Sequence, residues 1–451
     1  MLMLIPLNFM AARFGTIKSS PCRGGFNQKI YGRTDKLKKP TLTHCQIQQP
    51  KSKILLLASI LLPLALLSST PEVLADSRKP KTEETFFNPL EIKTPDPLLP
   101  NPNLPLTRLQ RLKLKATLDE LDRQAAARYA AGDRNGAFAI WNRELRLRRA
   151  LGFQEEIQAL SRVGGIAWQD NQRPDLQVIT QRLQTIGQQI QSQPNVNLQL
   201  LRSLGLAFQQ VREPDNAIAI YNRILVTARQ QRDVATIQAT LKTLAELNLS
   251  WFDYAKAATA YEELLSFATE VGDRLGVLTN LQQLDFIYGQ ARRYQQAIAV
   301  KQKLFEIYQN DPQLSLSLPA LRLAIAKDYL ALEQIQTAFE NFQQAYTSAW
   351  ALQQYSLAGD ALRQLIALYR SQNQIDAALQ TSQTLLQAEQ FASDFYGMMT
   401  TYDQIGQIYL NLGNKSEALA AFQKGLELAQ QLNYQETYFT GQIKEINQPS
   451  Q

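Results

Sequence analysis

A chain of 451 residues with 45% apolar content can bury a large core, and its net charge of +7 would suggest an anionic partner if it were spread evenly. It is not: residues 1–75 hold ten Lys or Arg against two Asp or Glu, leaving 37 positive and 38 negative groups, a net of −1, in residues 76–451. That balance excludes nucleic acid as a partner for the bulk of the chain. Because Cys22, Cys45 and His44 all precede residue 75, thiol or imidazole catalysis, disulfides and ordinary zinc sites are excluded beyond it.

Taken in order, the chain opens with a basic segment in which Asp35 is the sole acid among the first fifty residues, followed by Lys51, Lys53 and an apolar run over residues 54–67. Fourteen residues suit a secretory signal better than a bilayer span, which needs about 20. Val73 and Ala75 suit cleavage after Ala75. Residues 1–75 therefore read as a leader. The expected destination is the periplasm or a thylakoid lumen, with a soluble product. The alternative is an anchor through residues 54–67. The fifty residues upstream imply either a later true start or a transit peptide ahead of a second signal. Residues 76–107 carry Pro80, Pro89, Pro95, Pro97, Pro100, Pro102 and Pro105, which deny a helix its donors and favour extended chain. This is a spacer, whose Phe86, Phe87, Leu98 and Leu99 are expected to be poorly ordered rather than docked on the helices beyond it.

From residue 108 to 430 the pattern is helical and periodic. In residues 204–224, LGLAFQQVREPDNAIAIYNRI, one apolar face (Leu204, Gly205, Phe208) stops near Glu213-Pro214 and a second begins at Ala217, Tyr221 and Ile224. Small residues in the Ala217 register recur at Ala137, Ala257, Ala297, Ala338, Ala378 and Ala418, a 40-residue step with one insertion near 320; the mark is lost at Gln177. Four residues after the marks stand Trp141, Tyr221, Tyr261, Lys301, Phe342, Ser382 and Phe422, and nine before them Phe208, Tyr288, Tyr329, Tyr369 and Tyr409 among others. One hairpin cannot hide its apolar faces, so about eight must stack. Residues 431–451 supply a closing helix and tail.

This spacing of small and aromatic positions resembles the tetratricopeptide repeat (TPR) family, best at residues 204–224 and at residues 405–425, IGQIYLNLGNKSEALAAFQKG, and over roughly residues 117–430. The resemblance implies an all-α, right-handed superhelical solenoid that binds other proteins along a concave groove lined by the first helix of each hairpin. It departs from the family in a step longer than the common one and in polar joints, such as Gly272-Asp273 and Asp311-Pro312, where proline is usual. Leader and repeats together resemble an exported cyanobacterial or plastid type, among which are assembly factors for membrane complexes such as a photosystem.

Carried onto this sequence, the groove slots are Asp122, Arg162, Arg202, Lys242, Gln282, Leu323, Arg363 and Asp403. Arg162, Arg202 and Lys242 place a cation on three successive units, a ladder able to grip a carboxylate, with Gln199, Gln209, Leu206, Ile166 and Gln169 adding polar and apolar contact. Arg363 is a further candidate. The partner expected is a protein or acidic peptide segment. Arg143, Arg146, Arg148 and Arg149 could meet an anionic membrane surface. Asp119 and Asp122, three residues apart on a helix, are weak candidates for an oxygen-ligand metal site. Carboxylate pairs such as Glu155-Glu156 diverge by about 100° on a helix, and Gly164-Gly165 sits inside one, so neither a catalytic pair nor a phosphate loop is indicated. No cofactor and no enzymatic activity are expected. A metal-delivery protein and a membrane-anchored envelope protein are the competing readings.

Overall fold

The computed structural model describes residues 88–99, 104–191 and 197–448. The leader, Phe86 and Phe87 lie outside these. Among the described residues there are 17 α-helices and no strand, and the first sixteen helices form eight antiparallel hairpins. The first helices are α1 (Arg108–Ala130), α3 (Phe153–Gln169), α5 (Leu198–Gln210), α7 (Val234–Ser250), α9 (Arg274–Gln290), α11 (Leu318–Ala331), α13 (Tyr355–Ser371) and α15 (Phe395–Asn411). Their partners are α2 (Arg134–Arg148), α4 (Arg173–Gln191), α6 (Pro214–Gln231), α8 (Tyr254–Glu270), α10 (Tyr294–Gln309), α12 (Ile335–Ala351), α14 (Ile375–Phe391) and α16 (Lys415–Leu432). No helix among them is long and apolar enough to cross a membrane.

Local chemistry sets the helix ends. Thr107 and Gln110 close a capping box at the start of α1. Asp133, Asp233, Asp253, Asp273 and Asp394 each accept a hydrogen bond from the backbone N–H three residues on, which satisfies an orphan donor and places negative charge at the helix's positive end. Pro214 stands at the first turn of α6, where its missing N–H costs nothing. Between the two helices of most hairpins a single residue turns left-handed, for example Gly132 at φ 89° and Gly413 at φ 77°, yet the α7–α8 turn uses Phe252 at φ 60°. A β-carbon in that region is strained, and the Phe252 ring is 74% exposed, so burial offsets little of the strain. Phe252→Gly is therefore expected to raise stability by about 1 kcal/mol in a urea titration. An unchanged or lowered midpoint would show that the ring's edge contact with Tyr254 outweighs the strain.

The forty-step pattern is the core. All seven marker alanines, Ala137 through Ala418, are 0% exposed. Trp141, Phe342 and Phe422 in the large slot are buried, with Tyr221 and Tyr261 close behind. Small faces large at close range: a β-carbon on Gly205 would come within 3.0 Å of the Tyr221 ring, and one on Gly406 within 2.8 Å of Phe422. At the lost mark Gln177 is exposed, and Val178 and Ile179 take the core position instead. α17 (Glu436–Asn447) closes the stack by inserting Phe439, wholly buried, against Gly425.

The spacer behaves differently from expectation. Of its described residues, 88–99 and 104–107, the first stretch is docked on the first hairpin. Leu90 is 1% exposed within the main core, and Leu98 and Leu99 pack on Leu114, Leu118 and Leu147. Asp96 fixes it by accepting two hydrogen bonds from Arg143, at 2.8 and 2.9 Å, and the guanidinium holds its carboxyl down at about 2. Proline excluded an α-helix here, leaving a single 3-10 turn over Pro89–Glu91, but it did not exclude a packed segment.

Candidate functional site

The face formed by the first helices is irregular at α3 and α5. Gly164 carries no β-carbon where one would meet the Val211 side chain at 2.5 Å, and Gly165 faces Gln210, so the end of α5 can settle directly on α3. Beside this contact lies a cleft of about 380 Å³, lined by Arg162, Ile166, Gln169, Ser203 and Leu206 among others. Leu206 is 48% exposed at its floor. Also on α3, the Trp168 ring, equally exposed, carries the Arg212 guanidinium 5.9 Å from its centroid. The expected neighbours Ile166, Gln169 and Leu206 are brought together here. Gln199, exposed at the first turn of α5, and Gln209, half-buried further along it, do not line the cleft.

The cation ladder is shorter than expected. Arg162 is not a free cation: its guanidinium pairs with Asp122, the equivalent slot one unit earlier, and with Glu144 at 2.9 and 3.2 Å. Glu144 is wholly buried, and desolvation pushes its pKa up against the pull of Arg162 and Arg148, so removing Arg162 would strand a buried carboxylate. Arg202 is exposed and donates to a neutral hydroxyl, Thr236 Oγ1 at 2.6 Å, which in turn donates to Asp233 at 2.6 Å. Lys242 is exposed and has no ion-pair partner among the described residues. Arg363 is taken up by three carboxylates, Asp360 at 2.9 Å, Glu389 at 3.1 Å and Asp394 at 3.2 Å. Leu323 turns into the core.

Two further expectations are corrected by the same physics. Arg143, Arg146, Arg148 and Arg149 do not form an exposed basic patch. Arg143 and Arg146 hold Asp96; Arg148, 8% exposed, lies among Glu144, Asp119 and Glu155; Arg149 pairs with Glu91 and Glu156. Asp119 and Asp122 do not face a common space for a cation: Asp119 accepts from Arg148 at 2.6 Å, and Asp122 accepts from Trp141 Nε1 at 2.8 Å and from Arg162. Among the described residues no group of three or more His, Cys, Asp or Glu is placed to hold a metal ion.

Sequence reasoning missed the polar core. Lys301 and Ser382 occupy slots that elsewhere hold aromatic rings, and that departure was the available signal. Lys301, 6% exposed, pairs with Asp328 at 2.8 Å and Asp285 at 2.5 Å. On α14, beyond Ser382, Glu389 is 2% exposed and accepts from Thr401 and Arg363.

The architecture defines an all-α repeat solenoid. Residues 400–432, which span most of α15 and all of α16, match the tetratricopeptide repeat. Comparison with curated proteins finds no match. Among solved structures the chain is similar to BtubC from P. vanneervenii, with 20% identity over 49% of this chain and 92% of that one and a TM-score of 0.34. It is also similar to aspartyl phosphate phosphatase F from Bacillus subtilis, with 17% identity over 64% and 78% and a TM-score of 0.37. For MamA the figures are 19% identity over 42% and 96% and a TM-score of 0.31.

Proposed function

We propose that the solenoid holds an extended, acidic segment of another protein along its first helices, from the cleft between α3 and α5 to α7, and performs no chemistry on it. The observation that carries this is the pair Arg202 and Lys242, both exposed and neither ion-paired among the described residues, beside Ile166 and exposed Leu206. Equivalent slots on stacked helices stand roughly 10 Å apart, a spacing that an extended chain spans in about three residues. A carboxylate gains most from cations that are not already neutralised: Lys242 meets that condition outright, Arg202 reaches Asp233 only through the Thr236 hydroxyl, and Arg162 is paired directly. Reversing both charges, Arg202→Glu with Lys242→Glu, should lower capture of an acidic peptide at least about tenfold while helicity measured by circular dichroism stays unchanged. Capture at wild-type strength by the doubly reversed chain would remove the proposal.

The setting belongs to the same proposal. Lys51, Lys53, the run over residues 54–67 and Ala75 support export to a periplasm or thylakoid lumen, where the segment held would belong to a subunit of a membrane complex under assembly, such as a photosystem. A mature N-terminus at Asp76 by mass spectrometry is expected; an intact leader would instead favour an anchor.

A further inference from the structure

The single 41-residue step of the chain falls between α10 and α11, and it leaves a mark in the packing. The link contains a tight turn over Ser315–Ser317, pinned where Gln354 Nε2 donates to Leu316 O at 2.8 Å, and α11 has 14 residues where α9 and α13 have 17. The core divides on this helix: Leu321 and Ile325 join the apolar cluster of the preceding units, while Leu323 and Ala326 join that of the following ones. Between the end of α10, the start of α11 and the second half of α12 this opens a cleft of about 720 Å³, a size suited to a small organic ligand. It is built mostly from second helices, whereas the peptide groove proposed for Arg202 and Lys242 rests on first helices.

Arg322 stands in this cleft with its guanidinium 4.6 Å from the centroid of the Phe305 ring. The half-buried guanidinium groups of the first hairpin all have carboxylates. Arg322 has none within ion-pair distance among the described residues, although burial disfavours its charge and lowers its pKa. An anion arriving there meets a desolvated, oriented fork. Two hydroxyls share the lining. Thr347 Oγ1 donates to Gln343 O at 2.8 Å and Ser348 Oγ to Gln344 O at 2.7 Å, so their protons are committed to the helix and only lone pairs remain for a ligand. No Asp or Glu lines the cleft, so an ammonium would lack a counter-charge and a neutral N–H is the donor that fits. Phe305, Leu318 and Tyr346 supply the apolar wall.

We propose that this cleft binds an N-acylated, apolar α-amino acid carboxylate. The carboxylate sits on Arg322, the amide N–H donates to the Thr347 or Ser348 hydroxyl, and the side chain lies against Phe305, Leu318 and Tyr346. The same chemistry is offered by a free N-acyl amino acid and by the last residue of a polypeptide. Equilibrium dialysis of the full chain against labelled N-acetyl-L-phenylalanine should show saturable binding. Retention should fall at least about tenfold when the carboxylate is replaced in N-acetyl-L-phenylalanine amide, and equally for Arg322→Gln, because a charge-assisted hydrogen bond is lost in both. The amide comparison uses the unaltered protein and so does not depend on the variant folding. Lys303→Gln, an exposed cation on α10 that does not line the cleft, should leave binding unchanged, which shows that the loss is specific to Arg322. Binding of acid and amide alike, or no retention of the acid at ~5 mM, would overturn the proposal. An acetylated tripeptide ending in Phe that binds at least about tenfold tighter than the free compound assigns the site to a chain terminus, and equal binding assigns it to the small molecule.

Discussion

Lys301→Met should destabilise the fifth and sixth hairpins by on the order of 3–5 kcal/mol, the cost of removing one partner of a buried charge cluster. Lys301 fills the slot where neighbouring units place Tyr261 and Phe342, so its stem is packed as a hydrophobe while its ammonium lies inside the stack. Asp328 on α11 accepts its hydrogen bond at 2.8 Å. Asp285 on α9 lies 2.5 Å from the same ammonium, and burial pushes its carboxyl upward against the pull of Lys301. Methionine keeps the length and volume and removes the cation, so the loss measures stranded carboxylates and not a cavity. Two results would identify that cause. Adding Asp285→Asn and Asp328→Asn to Lys301→Met should recover most of the loss, and the single variant's deficit should shrink in acid as the Asp285 carboxyl protonates. Urea titrations that place Lys301→Met within about 1 kcal/mol of wild type would show that the cluster contributes nothing net.

The fate of Arg162 shows where sequence reading stops. The forty-step register, the buried alanines, the rings packed on Gly205 and Gly406, and the closing helix were all legible, because each follows from one residue's size at a fixed period. Register also put Asp122 and Arg162 in equivalent slots of adjacent units. What register cannot say is that equivalent slots on stacked helices lie close enough for those two to pair, so the ladder of three cations became a pair of cations and a neutralised one. The same holds for Arg143, whose acid lies 47 residues away in a proline-rich stretch that carries no helical period. Deviations from the repeat were the better guide. The irregular slots Lys301 and Ser382 mark the units with a polar core, Gln177 marks the altered α4, and the extra residue near 320 marks the Arg322 cleft. A repeat array tolerates such departures because each hairpin touches only its neighbours, and the compensation must therefore be local.

Glu389→Gln should abolish a pH dependence that the wild-type C-terminal units possess. The Glu389 carboxyl is 2% exposed, and burial pushes its pKa up to about 7 from 4.5, against the lowering effects of the Thr401 hydrogen bond and Arg363. Arg363 is a weak counterion because Asp360 and Asp394 share it. With the folded value raised, the unfolded chain releases this proton first. Stability is fully present below pH ~4.5, declines as pH rises, and levels off once the folded carboxyl has also ionised, above pH ~7. The whole excursion is at most about 3 kcal/mol. Glutamine keeps the acceptor for Thr401 and Arg363 without the charge, so the variant should match wild type near pH ~4.5 and exceed it near pH ~8. Because hairpins open with their neighbours and not with the whole array, the difference should concentrate in α13–α15, where amide exchange followed by mass spectrometry at both pH values reads it directly. Equal protection of wild type and Glu389→Gln at pH ~8 would mean that the carboxylate is already ionised at no cost, and that Arg363 serves it in preference to its two exposed neighbours.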